Sequence, residues 1–450
     1  MAIAFAVILL VVGTVLFHLL SPWWFTPIAS NWKMMDQTVN LTFWVTGVVF
    51  VAVNLFLAYA VIRYRHRKGL QAKYEPENKK LEWWLTVITA LGIAALLAPG
   101  LTVWANFVTV PKNASIVEVL GQQWSWSYRF PGADGKLGTT DASLITLDNP
   151  FGMNPDDPAG KDDVLVQSQQ LHLPIDVPVK MLLRSKDVNH QFAVPQFRVK
   201  MDMVPGTTTF FWFTPTRTGE FDALCEQLCG LAHFAMRGRV VVDYKAAFAD
   251  WLKQQPTYAQ MQARTAGDPH AGQSLYATCV ACHGPQAQGN QSVNAPKLSG
   301  QASWYLARQL DDFKQGLRGA GVQDVYGKQM TAFAGTLADD QAVRNIVSYI
   351  ATLADQPAES TVKGNVEHGK SLYVTCASCH GTEGQGLWST NAPRLSGMSD
   401  WYLARQLNNF RKGVRGAHRE DFHGSQMASM SQMLTDDKSV DDVVAYIRTL

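Results

Sequence analysis

Six cysteines fall into three pairs, and each pair has neighbours suited to holding a redox centre. Two pairs lie in Cys-x-x-Cys-His, as Cys279, Cys282 and His283 and again as Cys376, Cys379 and His380. At this spacing two thiols on one helical turn add to the vinyl groups of a haem while the next imidazole reaches the iron. The opposite axial position needs a soft, neutral donor. Met330 and Met427 each stand 47 residues beyond their histidine, in matching Gln-Met loops. A thioether favours reduced iron, so a His/Met pair raises the potential and suits an electron carrier. A thiol redox pair or half a zinc site explains one Cys-x-x-Cys, but not the repeated His and downstream Met. Near the second motif His418, His423, Met430 and Met433 are rivals for the iron, yet only Met427 has a methionine counterpart by the first motif. His423 aligns with Tyr326 and His418 with Gly321, which assigns both to the surface.

The third pair, Cys225 and Cys229, lies in Cys-Glu-Gln-Leu-Cys-Gly-Leu-Ala-His-Phe-Ala-Met. Two thiolates, the His233 imidazole, the Met236 thioether and a second imidazole from a distant strand make a soft cage suited to copper. His190, in Lys-Asp-Val-Asn-His, is the candidate for that second imidazole. One thiolate suffices for a single copper; two can bridge a pair of ions, so that one shared electron changes the geometry little. A Cys225–Cys229 disulfide and a Cys2His2 zinc site are the competing readings, and neither uses Met236.

These groups need elements to position them. The chain has 450 residues, enough for two to four domains. Charged residues are 17% against 47% apolar, with 39 basic and 37 acidic side chains. That balance is low in charge for a wholly soluble protein, and without a long basic stripe it argues against nucleic acid as a partner. Apolar stretches at about 1–20, 38–62 and 83–108 are long enough to span a bilayer. Between the last two, Arg63, Arg65, Arg67, Lys68, Lys73, Lys79 and Lys80 stand against Glu75 and Glu77, which marks the cytoplasmic side and places everything beyond about Thr109 outside. Trp23, Trp24, Trp32, Trp83, Trp84 and Trp104 sit at span ends, where they read as headgroup anchors. The first span lacks the basic start and small-residue cleavage site of a secretory signal, so it reads as a retained helix; both readings predict one topology.

From 114 to 243 short runs rich in Val, Trp, Tyr, Phe and Thr, at 116–120, 179–183, 207–213 and 239–242, are punctuated by Gly and Pro, the pattern of an all-β sandwich or barrel. Residues 131–163 read as a long surface insertion, and a polar helical linker follows. The rest is an internal repeat. Residues 272–353 align without a gap on 369–450 at an offset of 97, with about half the positions identical. Each copy ends in a helix with apolar spacing, Val343, Ile346, Val347, Ile350 and then Val440, Val443, Val444, Ile447. The expected division is a first transmembrane segment 1–20, a two-helix hairpin 21–110, a β domain 111–245, a linker 246–269, and two helical domains at 270–354 and 368–450 joined by 355–367.

The repeat resembles tandem dihaem class I cytochromes c over about 180 residues, from the attachment motifs through the Asn-Ala-Pro-x-Leu-Ser-Gly loops to the terminal helices. The resemblance implies two small all-α folds packed face to face, with haem c attached outside the cytoplasmic membrane. From about Ser21 to Asp243 the chain resembles subunit II of haem-copper cytochrome c oxidases, in its membrane helices, the run Gln122-Gln123-Trp124-Ser125-Trp126-Ser127-Tyr128, the segment 187–206 and the 225–236 loop. It implies a cupredoxin-like barrel holding the dinuclear CuA centre through His190, Cys225, Cys229, His233, Met236 and the backbone carbonyl of Gln227. Many members have Glu at the Gln227 position; here Glu226 precedes it, which leaves open the family's nearby magnesium site. Trp124 falls at the family's aromatic electron-entry position and Glu82 at the carboxylate by the mouth of a proton path. Barrel packing and an ordinary interfacial acid are their plainer readings.

Together these features imply an electron-input subunit in a bacterial cytoplasmic membrane, with its redox domains on the periplasmic side. Its partners would be subunit I, which reduces dioxygen, further membrane subunits, and a quinol-oxidising complex or small cytochrome c as donor. Two other readings are carried forward: the small subunit of a CuA-type nitric oxide reductase, and a membrane-tethered electron-transfer protein acting alone.

Overall fold

A computed structural model describes residues 2–21, 26–69, 71, 74, 76–166 and 168–450. Trp23, Trp24, Lys73 and Glu75 lie outside the described residues.

Three helices, α1 (Ala2–Leu20), α2 (Lys33–Arg63) and α3 (Lys79–Val108), are long and apolar enough to cross a membrane. α3 opens on Asn78, whose side chain accepts from the Leu81 amide, while Glu82 accepts from the amide of Asn78. Two backbone donors at the helix start are thereby satisfied. The basic segment after α2 occupies one end of this hairpin and the β domain the other. There, Arg198 donates to Asp36 at 2.7 and 3.0 Å, and the Trp212 indole donates to the Asn106 carbonyl at 3.1 Å.

Trp32 departs from the reading as a headgroup anchor. It is 1% exposed and packs on Trp212 and Phe107, with its indole donating to the Trp212 carbonyl at 2.9 Å. The β domain sits down on the helix ends, so this ring joins its core. Trp83, Trp84 and Trp104 are exposed.

Among the described residues, the β domain has ten strands in two sheets. They are β1 (Ser115–Gln122), β2 (Ser125–Phe130), β3 (Val164–Val166), β4 (Gln170–Pro174), β5 (Val179–Ser185), β6 (His190–Val194), β7 (Val199–Met203), β8 (Thr209–Phe213), β9 (Gly219–Cys225) and β10 (Arg237–Asp243). The sheet orders are β3-β2-β1-β5-β8 and β4-β10-β9-β6-β7. Alternation along β5 sends Val179, Met181 and Leu183 inward against Phe192, Phe211 and Phe213. This sandwich is the all-β domain expected.

Residues 131–163 are more than a surface excursion. Phe151 and Met153 are buried with Leu120, Leu165 and Tyr258 in a second small core. Buried Asp163 accepts from Arg129 at 2.8 Å, and Arg129 also pairs with Glu118. Sequence polarity hid this, because the anchors are few among many Gly, Pro and Asp. The connection beyond is also docked: α4 (Lys245–Lys253) lays Phe248, Trp251 and Leu252 on the sandwich, Trp251 stacking on His172 at 4.3 Å, and α5 (Tyr258–Gln262) follows behind a Thr257 capping box.

Each repeat is a small helical fold. The first holds α6 (Pro269–Tyr276), α7 (Val280–His283), α8 (Ser303–Lys314), α9 (Val325–Ala334) and α10 (Asp340–Thr352). The second holds α11 (Val366–His380), α12 (Asp400–Arg411), α13 (Phe422–Ser431) and α14 (Asp437–Ile447). First and last helices cross at glycine: a Cβ on Gly272 would stand 2.0 Å from the Asn345 carbonyl oxygen, and one on Gly369 1.9 Å from that of Asp442. The apolar stripes of α10 and α14 fill the two cores.

Candidate metal and haem centres

The copper-type residues converge at one end of the sandwich because two adjacent strands deliver them. β6 starts on His190 and pairs with β9, which ends on Cys225; the loop 226–236 then joins β9 to its hairpin partner β10. Cys225 Sγ lies 3.7 Å from Cys229 Sγ, so the sulfurs are unbonded, and all six cysteines are free. His190 Nδ1 is 4.0 Å from Cys225 Sγ and His233 Nδ1 is 3.5 Å from Cys229 Sγ. Met236 Sδ stands 3.8 Å from Cys229 Sγ, and the Gln227 carbonyl oxygen 3.2 Å from Cys225 Sγ. Two sulfurs thus sit side by side, each with its own imidazole.

Several contacts hold this cage. Asp187 Oδ1 lies 2.8 Å from His190 Nε2, fixing the ring so that Nδ1 faces the sulfurs. The Trp124 indole and the Gln123 amide both donate to the Cys229 carbonyl, at 3.1 and 2.9 Å. Gly230 has φ +113°, and a Cβ there would meet Gln123 and Trp124 at 2.8 and 3.1 Å, so the loop turns tightly beneath the indole. The hydrogen bond with Cys229 draws the Cys225 thiol down to about 3, and the same contact pushes Cys229 up. One proton is therefore shared by the pair, and a thiophilic cation would displace it. The donor set fits a dinuclear copper centre, which two cysteine sulfurs, two imidazoles, a thioether and a carbonyl would hold. Glu226 turns toward Lys200 at 3.3 Å.

The haem motifs face one another across a seam. Arg318 donates to Tyr402 at 2.7 Å and to Gln406 at 3.2 Å; Arg415 answers with Tyr305 at 3.1 Å and Gln309 at 2.6 Å. These are equivalent residues of the two copies, so the seam is pseudo-symmetric. Beneath it lies a cavity of about 300 Å³ lined by Cys279, His283 and Met330 from the first copy and by Cys376, Cys379, His380 and Met427 from the second. Cys282, beside His283, is half-buried.

Burial lowers the pKa of both histidines, and each Nδ1 lies 2.8 Å from a carbonyl, His283 to Pro296 and His380 to Pro393. Neutral rings donating from Nδ1 keep Nε2 for a metal. The walls are apolar, with Leu306, Phe313, Ile346 and Ile350 matched by Leu403, Phe410, Val443 and Ile447. Half-buried Arg308 and Arg318 each hold a buried Nε without a partner among the described residues. An apolar slot edged by unpaired guanidinium N–H groups fits a flat macrocycle carrying carboxylates.

Three placements differ from expectation. Met330 and Met427 lie within α9 and α13, not in loops. His423 is no surface residue: one turn before Met427 it lines the cavity, and burial holds it neutral, with a pKa near 3. A helix of period 3.6 puts 423 and 427 on one face, a relation visible only once the segment is known to be helical. His418 is exposed. Trp124 contacts both candidate sites: it is 4% exposed, lines the cavity between the repeats and donates to the Cys229 carbonyl. Glu82 is at the other end of α3, about 36 Å from Asn106 at 1.5 Å per residue. Arg308 and Arg405 stack over Trp304 and Trp401, and Arg308 also donates to Asn391 across the seam. Asp187 and the Arg318/Arg415 seam went unassigned from sequence; the first stands three residues before His190, a local signal, whereas the second follows only from the packing.

Comparison with known proteins agrees with this anatomy. The family described as cytochrome c oxidase subunit II, periplasmic domain, matches residues 115–244, and cytochrome c matches 269–354 and 366–450. The chain is 58% identical over 266 residues to the alternative cytochrome c oxidase subunit 2 of Bradyrhizobium diazoefficiens, covering 59% of this chain and 96% of that protein. It is 33% identical over 201 residues to cytochrome c4 of Azotobacter vinelandii, covering 42% of this chain and 91% of that one. Reduced cytochrome c4 from Pseudomonas stutzeri matches at 28% identity with a TM-score of 0.33, covering 41% of this chain and all of that structure. The fold and sites therefore define a membrane-anchored electron-transfer protein of copper and haem type. The chain belongs to the cytochrome c oxidase subunit II family and carries a tandem cytochrome c extension.

Proposed function

We propose that this chain is the electron-input subunit of a proton-translocating terminal oxidase, passing electrons from two covalent haems c through a dinuclear copper centre to the haem of subunit I, where dioxygen is reduced to water. In this reading the protein sits in a bacterial cytoplasmic membrane with its redox domains in the periplasm. The observation that carries it is the pair of sulfurs 3.7 Å apart, each beside its own imidazole.

When bound, each group supplies reversible one-electron storage at a raised potential. The residues do the rest. Cys279 and Cys282, and Cys376 and Cys379, would attach the two haems, with His283 and Met330, and His380 and Met427, as the residues that would hold their irons. His190, Cys225, Cys229, His233, Met236 and the Gln227 carbonyl would hold copper, with Asp187 fixing the His190 ring. Trp124 would serve at the electron-entry position, between the haem cavity it lines and the Cys229 carbonyl it bonds. Glu82, at the cytoplasmic end of α3, would stand where protons enter a partner subunit.

Gentle detergent extraction tests the assignment. Copurification with a multi-span haem protein that consumes dioxygen is expected. Turnover with nitric oxide instead would transfer the subunit to a nitric oxide reductase, and a lone chain would leave a tethered carrier.

A further inference from the structure

Although the two repeats match in every proposed ligand, they do not meet the copper domain alike. Among the described residues, the hydrogen bonds and ion pairs between repeats and sandwich all come from the second copy. Gln426, the neighbour of Met427, donates through Nε2 to the carbonyl of Trp124 and, at 3.3 Å, to that of Ala235, which lies between His233 and Met236. Gln122 donates to the Ser389 carbonyl at 3.0 Å, Lys186 lies 4.8 Å over the Trp388 ring, and Arg419 pairs with Glu220.

The copies diverge where this contact is made. Trp388 replaces Gln291, and Arg419 replaces Val322. Gln426 has an identical twin, Gln329, but Gln329 is exposed, as is Val322 at 85%. A glutamine that directly precedes the proposed methionine ligand in both copies is thus an interface residue in one and a solvent residue in the other.

We propose that the second repeat is the one that hands electrons to the copper domain, that Gln426 is the positioning residue of this contact, and that the first repeat faces the external donor. The route is short: Gln426 follows covalently from Met427, bonds the backbone of Trp124, and the Trp124 indole bonds the carbonyl of Cys229. The inference rests on the copper and haem reading above.

The test compares Gln426→Ala, Trp388→Gln and the twin control Gln329→Ala in the full chain with its haems and copper. Hydrogen exchange at amides 122–126 and 232–236 reports docking; the copper EPR spectrum and the rate of copper reduction after flash photoreduction of the haems report its consequence. Gln426→Ala and Trp388→Gln are expected to speed exchange at those amides and slow copper reduction, each several-fold. Gln426→Ala also shifts the copper spectrum, and Gln329→Ala changes none of the three. Equal effects from both glutamines, or unchanged exchange in Gln426→Ala and Trp388→Gln, overturn the proposal. The exchange readout needs no copper, so an unmutated chain without the copper signal would refute the function proposed above and still score the docking.

Discussion

In the sandwich, each proposed copper donor already lies between 3.2 and 4.0 Å from a neighbouring donor. In the cytochrome pair, the corresponding residues stand around a cavity of about 300 Å³. The cores differ in the same sense: thirty buried side chains among the described residues pack the sandwich, against eight and six in the repeats. Small cores of this kind need a staple. On the proposed reading, the contrast in core size predicts a copper domain that stays folded when its metal donors are removed and repeats that need their haems to fold.

The most disruptive way to break this comparison is to stop haem attachment. Cys376→Ser with Cys379→Ser should unfold the second repeat, seen as lost amide protection across 366–447, while the β-strands stay protected. Retained protection in that repeat would mean its core suffices alone. Next in size, Cys229→Ser should abolish the near-infrared copper band, leave the sandwich folded and leave both haems reducible by ascorbate. Loss of haem reducibility there would show that the two regions are not independent.

A sharper and smaller change is Met427→Ala, which should alter the absorption of the second repeat's haem only; an unchanged spectrum would move the axial ligand, with His423 in the same cavity first in line. Smaller still is Asp400→Ala. This buried carboxylate accepts from the Thr361 and Val362 amides and the Thr361 hydroxyl at 2.7–2.9 Å, pinning the inter-repeat segment, and its removal should cost the second repeat roughly 1–3 kcal/mol. Burial opposes its ionisation, but the hydrogen bonds from Val362 and Thr361 outweigh burial and hold it below the usual carboxylate range. A lowered folded value means this contribution is complete above about pH 4 and fades as pH falls through the folded value. Thermal melts of wild type and Asp400→Ala should therefore converge in acid.

Much of the site was legible because its chemistry is written locally. Cys279 to His283 and Cys225 to Met236 are short motifs whose residue types leave few alternatives, and the repeat reveals itself by self-similarity. The spans follow from length and apolarity. His190 was harder, being 35 residues from Cys225, and was legible only as a candidate for the second imidazole that the 225–236 loop lacks. What escaped were relations between distant surfaces: Trp32 buried under the sandwich, the insertion anchored through Asp163, the connection docked through Trp251, and Gln426 reaching Trp124 across 302 positions. Such contacts leave no period in the sequence, and His423 shows that even a neighbour of the site is misread when its helix is taken for a loop.

Metal content with EPR, on the polypeptide freed of any copurifying haem protein, tests the central claim most directly. The account predicts two copper and two iron per chain, with one unpaired electron shared equally by both coppers. A single copper, or a native sulfur–sulfur bond between residues 225 and 229, would contradict it.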